Sequence, residues 1–250
     1  FPSAPRSANR EQPDPTTATD DGTTPLYIAC EKGDERVVRK LLAHAATDVN
    51  QAKVDTGSTP LYIACRNGHE GVARMLLGHG ATDVNRAERS IGATPLFAAC
   101  HNGQEKLVRT LLLHAATDVN QATTGDGVTP LFMACQNGHE GVVRLLLAHA
   151  ATDVNQATTD DGITPLNMAC QEGHEGVVRL LLAHAATKVN QGLTDYGATP
   201  LFMACQEGHE GVVRLLLTHA KTNVNQGITE CGITPLYIAC QKGHEGLVRL

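Results

Sequence analysis

The chain has 250 residues and a formal net charge of −6, which argues against nucleic acid as a partner, since that calls for a basic patch or stripe. Aromatic residues are 3% of the sequence and tryptophan is absent, so a core must come from Leu, Val, Ala, Ile and Cys. No apolar run approaches the ~18 residues of a membrane-spanning helix, so membrane insertion is not expected, and no signal peptide is legible, although the chain starts at Phe1 and a removed leader stays open.

Residues 1–21 are rich in proline and polar residues and show no periodicity. They read as a polar arm, or as the worn end of a preceding repeat, because Ala8-Asn9-Arg10 echoes Val84-Asn85-Arg86. From Gly22 onward one pattern recurs. Its proline stands at Pro25, Pro60, Pro95, Pro130, Pro165, Pro200 and Pro235, always 35 residues apart. A fixed period of this size marks a solenoid, in which each unit buries its apolar face against its neighbours. The expected units are 22–56, 57–91, 92–126, 127–161, 162–196, 197–231 and a partial 232–250.

Unit four shows how such a unit folds. Thr129 is a good N-cap and Pro130 suits the first helical position, where its missing N–H costs nothing. Helix one then runs over about Pro130–Gln136 and stops at a left-handed turn at Asn137-Gly138. Helix two starts near His139 and presents Val142, Val143, Leu145, Leu146 and Leu147 at helical spacing. Glu140 and Arg144 stand four apart in the favourable order, and every unit keeps the pair, from Glu35/Arg39 to Glu245/Arg249. Asp153-Val154-Asn155 opens a polar loop to the next Thr-Pro.

The run GVTPLFMACQNGHEGVVRLLLAHAATDVN resembles the ankyrin repeat across residues 22–250. The resemblance implies an all-α solenoid of stacked helix-turn-helix units joined by long loops. Two departures stand out. The period is 35 instead of 33, with one extra residue at Thr47, Thr117, Thr152 and their equivalents. The glycine that ends helix two in the family survives as Gly80 and is otherwise Ala45, Ala115, Ala150, Ala185 or Ala220. Alanine favours helix over a left-handed cap, so helix two is expected to run on slightly.

Seven cysteines, Cys30, Cys65, Cys100, Cys135, Cys170, Cys205 and Cys240, share one position of the unit. Helices stacked ~8–10 Å apart are too distant for most disulfides, so these read as buried, reduced, structural thiols. Cys231 sits in a loop and reads as exposed. His44, His79, His114, His149, His184 and His219 recur near the end of helix two and read as outward-facing. Rungs ~8–10 Å apart cannot share a metal ion, and no metal or cofactor is expected. His69, His139, His174, His209 and His244 read as structural turn residues, replaced by Asp34 and Gln104 in units one and three. No nucleophile motif, HExxH helix or phosphate loop is present, and the period spaces carboxylates along a rod. No catalytic residue is assigned.

The resemblance implies protein binding through a concave surface of loop tips and first helices. The positions that vary between units fit that surface. At the end of helix one stand Glu31-Lys32, Arg66-Asn67, His101-Asn102, Gln136-Asn137, Gln171-Glu172, Gln206-Glu207 and Gln241-Lys242. Around the loop glycine, Ile163, Tyr196 and Ile233 are expected to be exposed and to anchor the contact in units five to seven. The partner-binding set is therefore Glu31, Lys32, Arg66, Asn67, His101, Asn102, Gln136, Asn137, Ile163, Gln171, Glu172, Tyr196, Gln206, Glu207, Ile233 and Gln241. A second row, Tyr27, Tyr62, Phe97, Phe132, Asn167, Phe202 and Tyr237, reads as inter-repeat packing, with Asn167 as either a contact site or a weakened interface. The asparagines Asn50, Asn85, Asn120 and Asn155 resemble the ankyrin asparagine that oxygenases hydroxylate, but a structural role in the loop is the safer reading.

The expected function is a protein-interaction scaffold, intracellular and cytoplasmic, with a protein partner. Two other readings stand beside it. One is the targeting arm of a larger enzyme or membrane protein whose activity lies elsewhere. The other is a spacer or self-assembling array, associating end to end through unit seven, which lacks the polar capping repeat that solenoids need.

Overall fold

The computed structural model describes residues 17–229 and 231–250. Most of the expected arm 1–21 lies outside the described residues, as does Glu230. Among the described residues there is no strand, and fourteen helices form seven hairpin pairs. The first helices are α1 (Pro25–Lys32), α3 (Pro60–Arg66), α5 (Pro95–His101), α7 (Pro130–Gln136), α9 (Pro165–Gln171), α11 (Pro200–Glu207) and α13 (Pro235–Lys242). The second helices are α2 (Glu35–Leu42), α4 (Glu70–Leu77), α6 (Glu105–Leu112), α8 (Glu140–Leu147), α10 (Glu175–Ala183), α12 (Glu210–Thr218) and α14 (Glu245–Val248). First helices pack on first helices and second helices on second helices, so the array has two layers.

Each first helix starts as the sequence reading expects. The hydroxyl of Thr129 accepts a hydrogen bond from the Phe132 N–H at 3.1 Å, and Pro130 occupies the first turn. Gly138 adopts φ +69, and the chain reverses into α8. One apolar core then runs the length of the array. In unit four it contains Leu131, Cys135, Val142, Val143 and Leu146, all at most 2% exposed.

Helix two runs on by one residue in units five and six and not in the units before them. It ends at Leu42, Leu77, Leu112 and Leu147 in the first four pairs, and one residue later at Ala183 and Thr218. The end is the same in unit two, which has Gly80, as in units three and four, which have Ala115 and Ala150. The cap comes from elsewhere. The Thr152 hydroxyl, the added residue of the longer period, donates to the Leu146 carbonyl at 2.6 Å. Thr47, Thr82, Thr117 and Thr187 do the same for Leu41, Leu76, Leu111 and Leu181. A side chain from beyond the turn satisfies a carbonyl that a left-handed glycine would otherwise serve.

The Glu–Arg pairs form in only two units, Arg74 with Glu70 and, at 3.6 Å, Arg249 with Glu245. Elsewhere the glutamate turns across the stack. Glu35, Glu105, Glu140, Glu175 and Glu210 lie over Gly71, Gly141, Gly176, Gly211 and Gly246, the second residue of the next unit's helix two, in space that any Cβ would fill. Glu70 faces Lys106 instead of glycine and keeps its own arginine.

Six of the seven repeating cysteines are buried and none is paired. Burial pushes the Cys30 thiol up to about 12 and the Cys205 thiol up to about 11, and raises those of Cys65, Cys100, Cys135 and Cys170 as well. Cys240 departs from the expectation and is exposed, because no described pair covers the outer side of α13; Cys231 is exposed as expected. Tyr237 is 56% exposed for the same reason, whereas Tyr27, Tyr62, Phe97, Phe132 and Phe202 are buried. His44 is exposed, but His79, His114, His149, His184 and His219 are half-buried, each with an Nδ1 hidden from solvent and unpaired. Helix two stops before these histidines, so they sit in the turn and not on its outer face.

Asn167 is fully buried, so it offers no contact to a partner. Its Oδ1 accepts from the Thr164 N–H at 3.1 Å, and its Nδ2 donates to the Gln191 carbonyl at 3.3 Å. An Asn167→Ala variant leaves the buried Thr164 N–H without a partner. It should cost about 1–3 kcal/mol, read as a lower urea midpoint.

Candidate partner-binding surface

Two columns of variable residues run along the array, and the main chain explains why they are free to vary. Near the end of each first helix in units one to six, the next unit takes hold of one carbonyl. The Glu31 carbonyl accepts from Asn67 Nδ2 at 2.9 Å and His69 Nε2 at 3.0 Å. His139, His174, His209 and His244 reach the carbonyls of His101, Gln136, Gln171 and Gln206 at 2.8–3.1 Å in the same way. The turn histidines are therefore inter-repeat staples that fix the Nε2–H tautomer. At the loop tip, too, the carbonyl does the joining. The carbonyls of Asp126, Asp161 and Tyr196 accept from the N–H groups of Thr159, Thr194 and Thr229 at 2.8–2.9 Å. Side chains at both columns are released from framework duty, except the amides of Asn67, Asn102 and Asn137.

The columns face each other. A cleft of about 490 Å³ between units two and three is lined by Thr56 and Ile91 from the tips and by Arg66, Asn67, His101 and Asn102 from the helix ends. Glu88 closes its floor, only 6% exposed, and accepts from the N–H groups of Ser90 and Ile91 at 2.8 and 2.9 Å. Burial raises the Glu88 carboxyl, but the hydrogen bonds from Ser90, Ile91 and Ala93 outweigh it and hold the group below its ordinary value.

The structure sorts the sixteen expected residues. Glu31, Lys32, Arg66, His101, Glu172, Glu207 and Gln241 present exposed side chains, and Gln136, Gln171 and Gln206 are partly exposed. Asn67, Asn102 and Asn137 are exposed but commit their amides to the carbonyls of Glu31, Arg66 and His101 at 2.9–3.0 Å. Tyr196 is 46% exposed. Ile163 and Ile233 are not exposed as expected: both are half-buried against the core. Their position follows the loop glycine, where the chain turns inward. Ser58, Ala93 and Ala198 at the same place are buried. Aspartate at 163 or 233 would therefore disturb packing, and Tyr196 alone of the three is a clean surface probe.

Charge along this surface is one-sided in its second half. Asp126, Asp160, Asp161, Glu172, Asp195 and Glu207 are all exposed. Between Arg109 and Lys242 the cations are Arg144, Arg179 and Arg214 on second helices, and Lys188 and Lys221 in the loops beyond those helices. None joins either column. The asparagine column is structural, as expected: Asn120 Nδ2 donates to the Ala151 carbonyl at 2.6 Å and its Oδ1 accepts from the Asp153 N–H at 2.8 Å. Among the described residues no group of three or more His, Cys, Asp or Glu side chains is placed to hold a metal, and no helix is long and apolar enough to cross a membrane.

The family model for ankyrin repeats (3 copies) matches residues 7–88, 82–158 and 152–228. The chain belongs to the ankyrin-repeat family, whose domains are in general protein–protein interaction modules. Among solved structures it is similar to the ankyrin repeat domain of Bcl-3, described as a unique member of the IkappaB protein family, with TM-score 0.78, 26% identity, and 92% of this chain and 100% of that chain covered. It is also similar to the human ASB11 ankyrin repeat domain, with TM-score 0.74, 27% identity and coverage of 91% and 97%. No curated protein matches the chain in sequence.

Proposed function

We propose that the chain is an interaction scaffold whose loop-tip and helix-one face holds a cationic, extended segment of a partner protein across units four to six. The supporting observation is the pair of variable columns, which over units four to six commit one side-chain amide, that of Asn137, to the framework and carry Asp161, Glu172 and Glu207, with Asp160 and Asp195 beside them, exposed Tyr196 and no cation. A pre-ordered surface of this kind loses little entropy on binding. Charge complementarity contributes rate and selectivity, and the tyrosine supplies the contact area and a face for a cation. The eight unpaired cysteines suit a reducing compartment, so the scaffold works inside the cell, in the cytoplasm.

Panning a random peptide display library against the immobilised chain tests this reading. Lys/Arg-rich sequences with an apolar or aromatic residue should be enriched. Tyr196→Ala should weaken the selected peptides about tenfold, with the far-ultraviolet circular dichroism unchanged. Enrichment of acidic sequences alone, or equal binding by Tyr196→Ala, would count against it.

A further inference from the structure

The second-helix layer carries a groove that the proposed function does not use. It lies between α4 and α6, has a volume of about 520 Å³, and is bordered by Leu77 and Leu113 together with Arg74, Lys106 and Arg109. Leu113 is 81% exposed, the most exposed large apolar side chain among the described residues. Its equivalents are Ala43, Gly78, Ala148, Ala183 and Thr218. Lys106 stands where five other units have glycine, at Gly71, Gly141, Gly176, Gly211 and Gly246. Thr110 stands where units four to six have Leu145, Leu180 and Leu215. Three surface departures of α6 and its C-cap from the repeated sequence thus fall on one groove.

Their consequences are chemical. Lysine at 106 denies Glu70 the glycine slot that the other glutamates occupy, and Glu70 turns to Arg74. That spends one cation of the groove on its one lining carboxylate. Lys106 and Arg109 have no carboxylate within ion-pair distance among the described residues. Thr110 and Gly78 keep the floor low, and Leu77 and Leu113 make it apolar.

We infer that this groove is a second docking surface, and that its occupant is an acidic amphipathic helix. Neighbouring helices ~8–10 Å apart leave between them a furrow into which a third helix packs, and α4 and α6, at eight residues each, match roughly 12 Å of such a helix. The occupant's apolar stripe rests on Leu77 and Leu113, and its carboxylates flank Lys106 and Arg109. The site lies in the opposite layer from the loop tips, so both faces can be occupied together, and an acidic ligand here is the opposite in charge to the ligand of the other face.

The probe is a fluorescein-labelled synthetic peptide of about 14 residues, ~21 Å as a helix, with leucine at every third or fourth position and Glu or Asp elsewhere. Two controls accompany it: the same peptide with lysine for each acid, and a scramble that disperses the leucines. Anisotropy titration of the whole chain should show binding of the acidic peptide alone, weakening as salt rises. Leu113→Ala should weaken it about tenfold and Lys106→Gly about threefold. Both substitutions install the residue that other units use, so folding is preserved. Tyr196→Ala should leave the affinity unchanged. The inference is overturned if no binding occurs at about 1 mM peptide, if Leu113→Ala and Lys106→Gly bind as well as the parent chain, if the scramble binds equally, or if Tyr196→Ala abolishes binding.

Discussion

Replacing Gly138 with valine should lower the stability of the central units by about 2–4 kcal/mol, from strain and a lost staple together. Gly138 sits at φ +69 between α7 and α8, a region that a β-branched residue scarcely visits. A Cβ there would lie 2.8 Å from Cε1 and Nδ1 of His174, so the imidazole must move. That ring holds the Gln136 carbonyl at 2.9 Å, and displacing it breaks the bond between units four and five. Strain within one unit and separation from the next therefore occur together. Gly125→Ala provides the contrast, because its Cβ meets nothing within 4 Å and its φ is not positive. A urea denaturation series should give a clear drop in midpoint for the first variant and none for the second. Equal midpoints would contradict the reading of the turn.

The second large effect is expected at Asn120. Its side chain spans two units with one donor and one acceptor, to the Ala151 carbonyl and the Asp153 N–H. Alanine removes both and leaves two main-chain groups without their partner, for a cost of about 2–3 kcal/mol. Solenoid stability is a sum of unit and nearest-neighbour terms, and this loss falls on a neighbour term. The Asn120→Ala chain should therefore unfold in two separable transitions where the parent shows one. Asn120→Asp keeps the acceptor and should recover part of the loss. A single sharp transition at the parental midpoint would show that the asparagine column contributes little to coupling.

These two positions mark where the sequence was legible and where it was not. The Thr-Pro start, the glycine turn and the apolar face of helix two are local, set by residues within a few positions of one another, and all are where the pattern places them. Of the sixteen expected surface residues, Asn67, Asn102 and Asn137 serve the framework and Ile163 and Ile233 pack against the core, so variation between units is an incomplete guide to which side chains are free. What stayed hidden was coupling between units, which acts at separations of 31 to 38 residues. The Glu140–Arg144 pair is sound for a lone helix, yet Gly176 in the next unit offers the carboxylate another place. Alanine in place of the helix-two glycine pointed to a longer helix, but in units three and four the Thr117 and Thr152 hydroxyls supply the cap from beyond the turn. Ile163 and Ile233 read as anchors because they are apolar at a position that varies between units, but the loop packs them against the core. The outer groove needed coordinates, since Lys106, Leu113 and Arg74 come together only when α4 and α6 are stacked.

Reversing the charge of the loop-tip face tests the scaffold reading most directly. In Glu172→Lys/Glu207→Lys both substitutions sit at exposed ends of first helices, where only the backbone of the preceding residue serves the array. Fluorescence anisotropy with a labelled Lys/Arg-rich peptide selected on the parent chain should show a loss of at least about tenfold in the double variant, and the parent's affinity should fall as salt rises. Equal affinity in parent and double variant, with no dependence on salt, would mean that the partner is not held by this face.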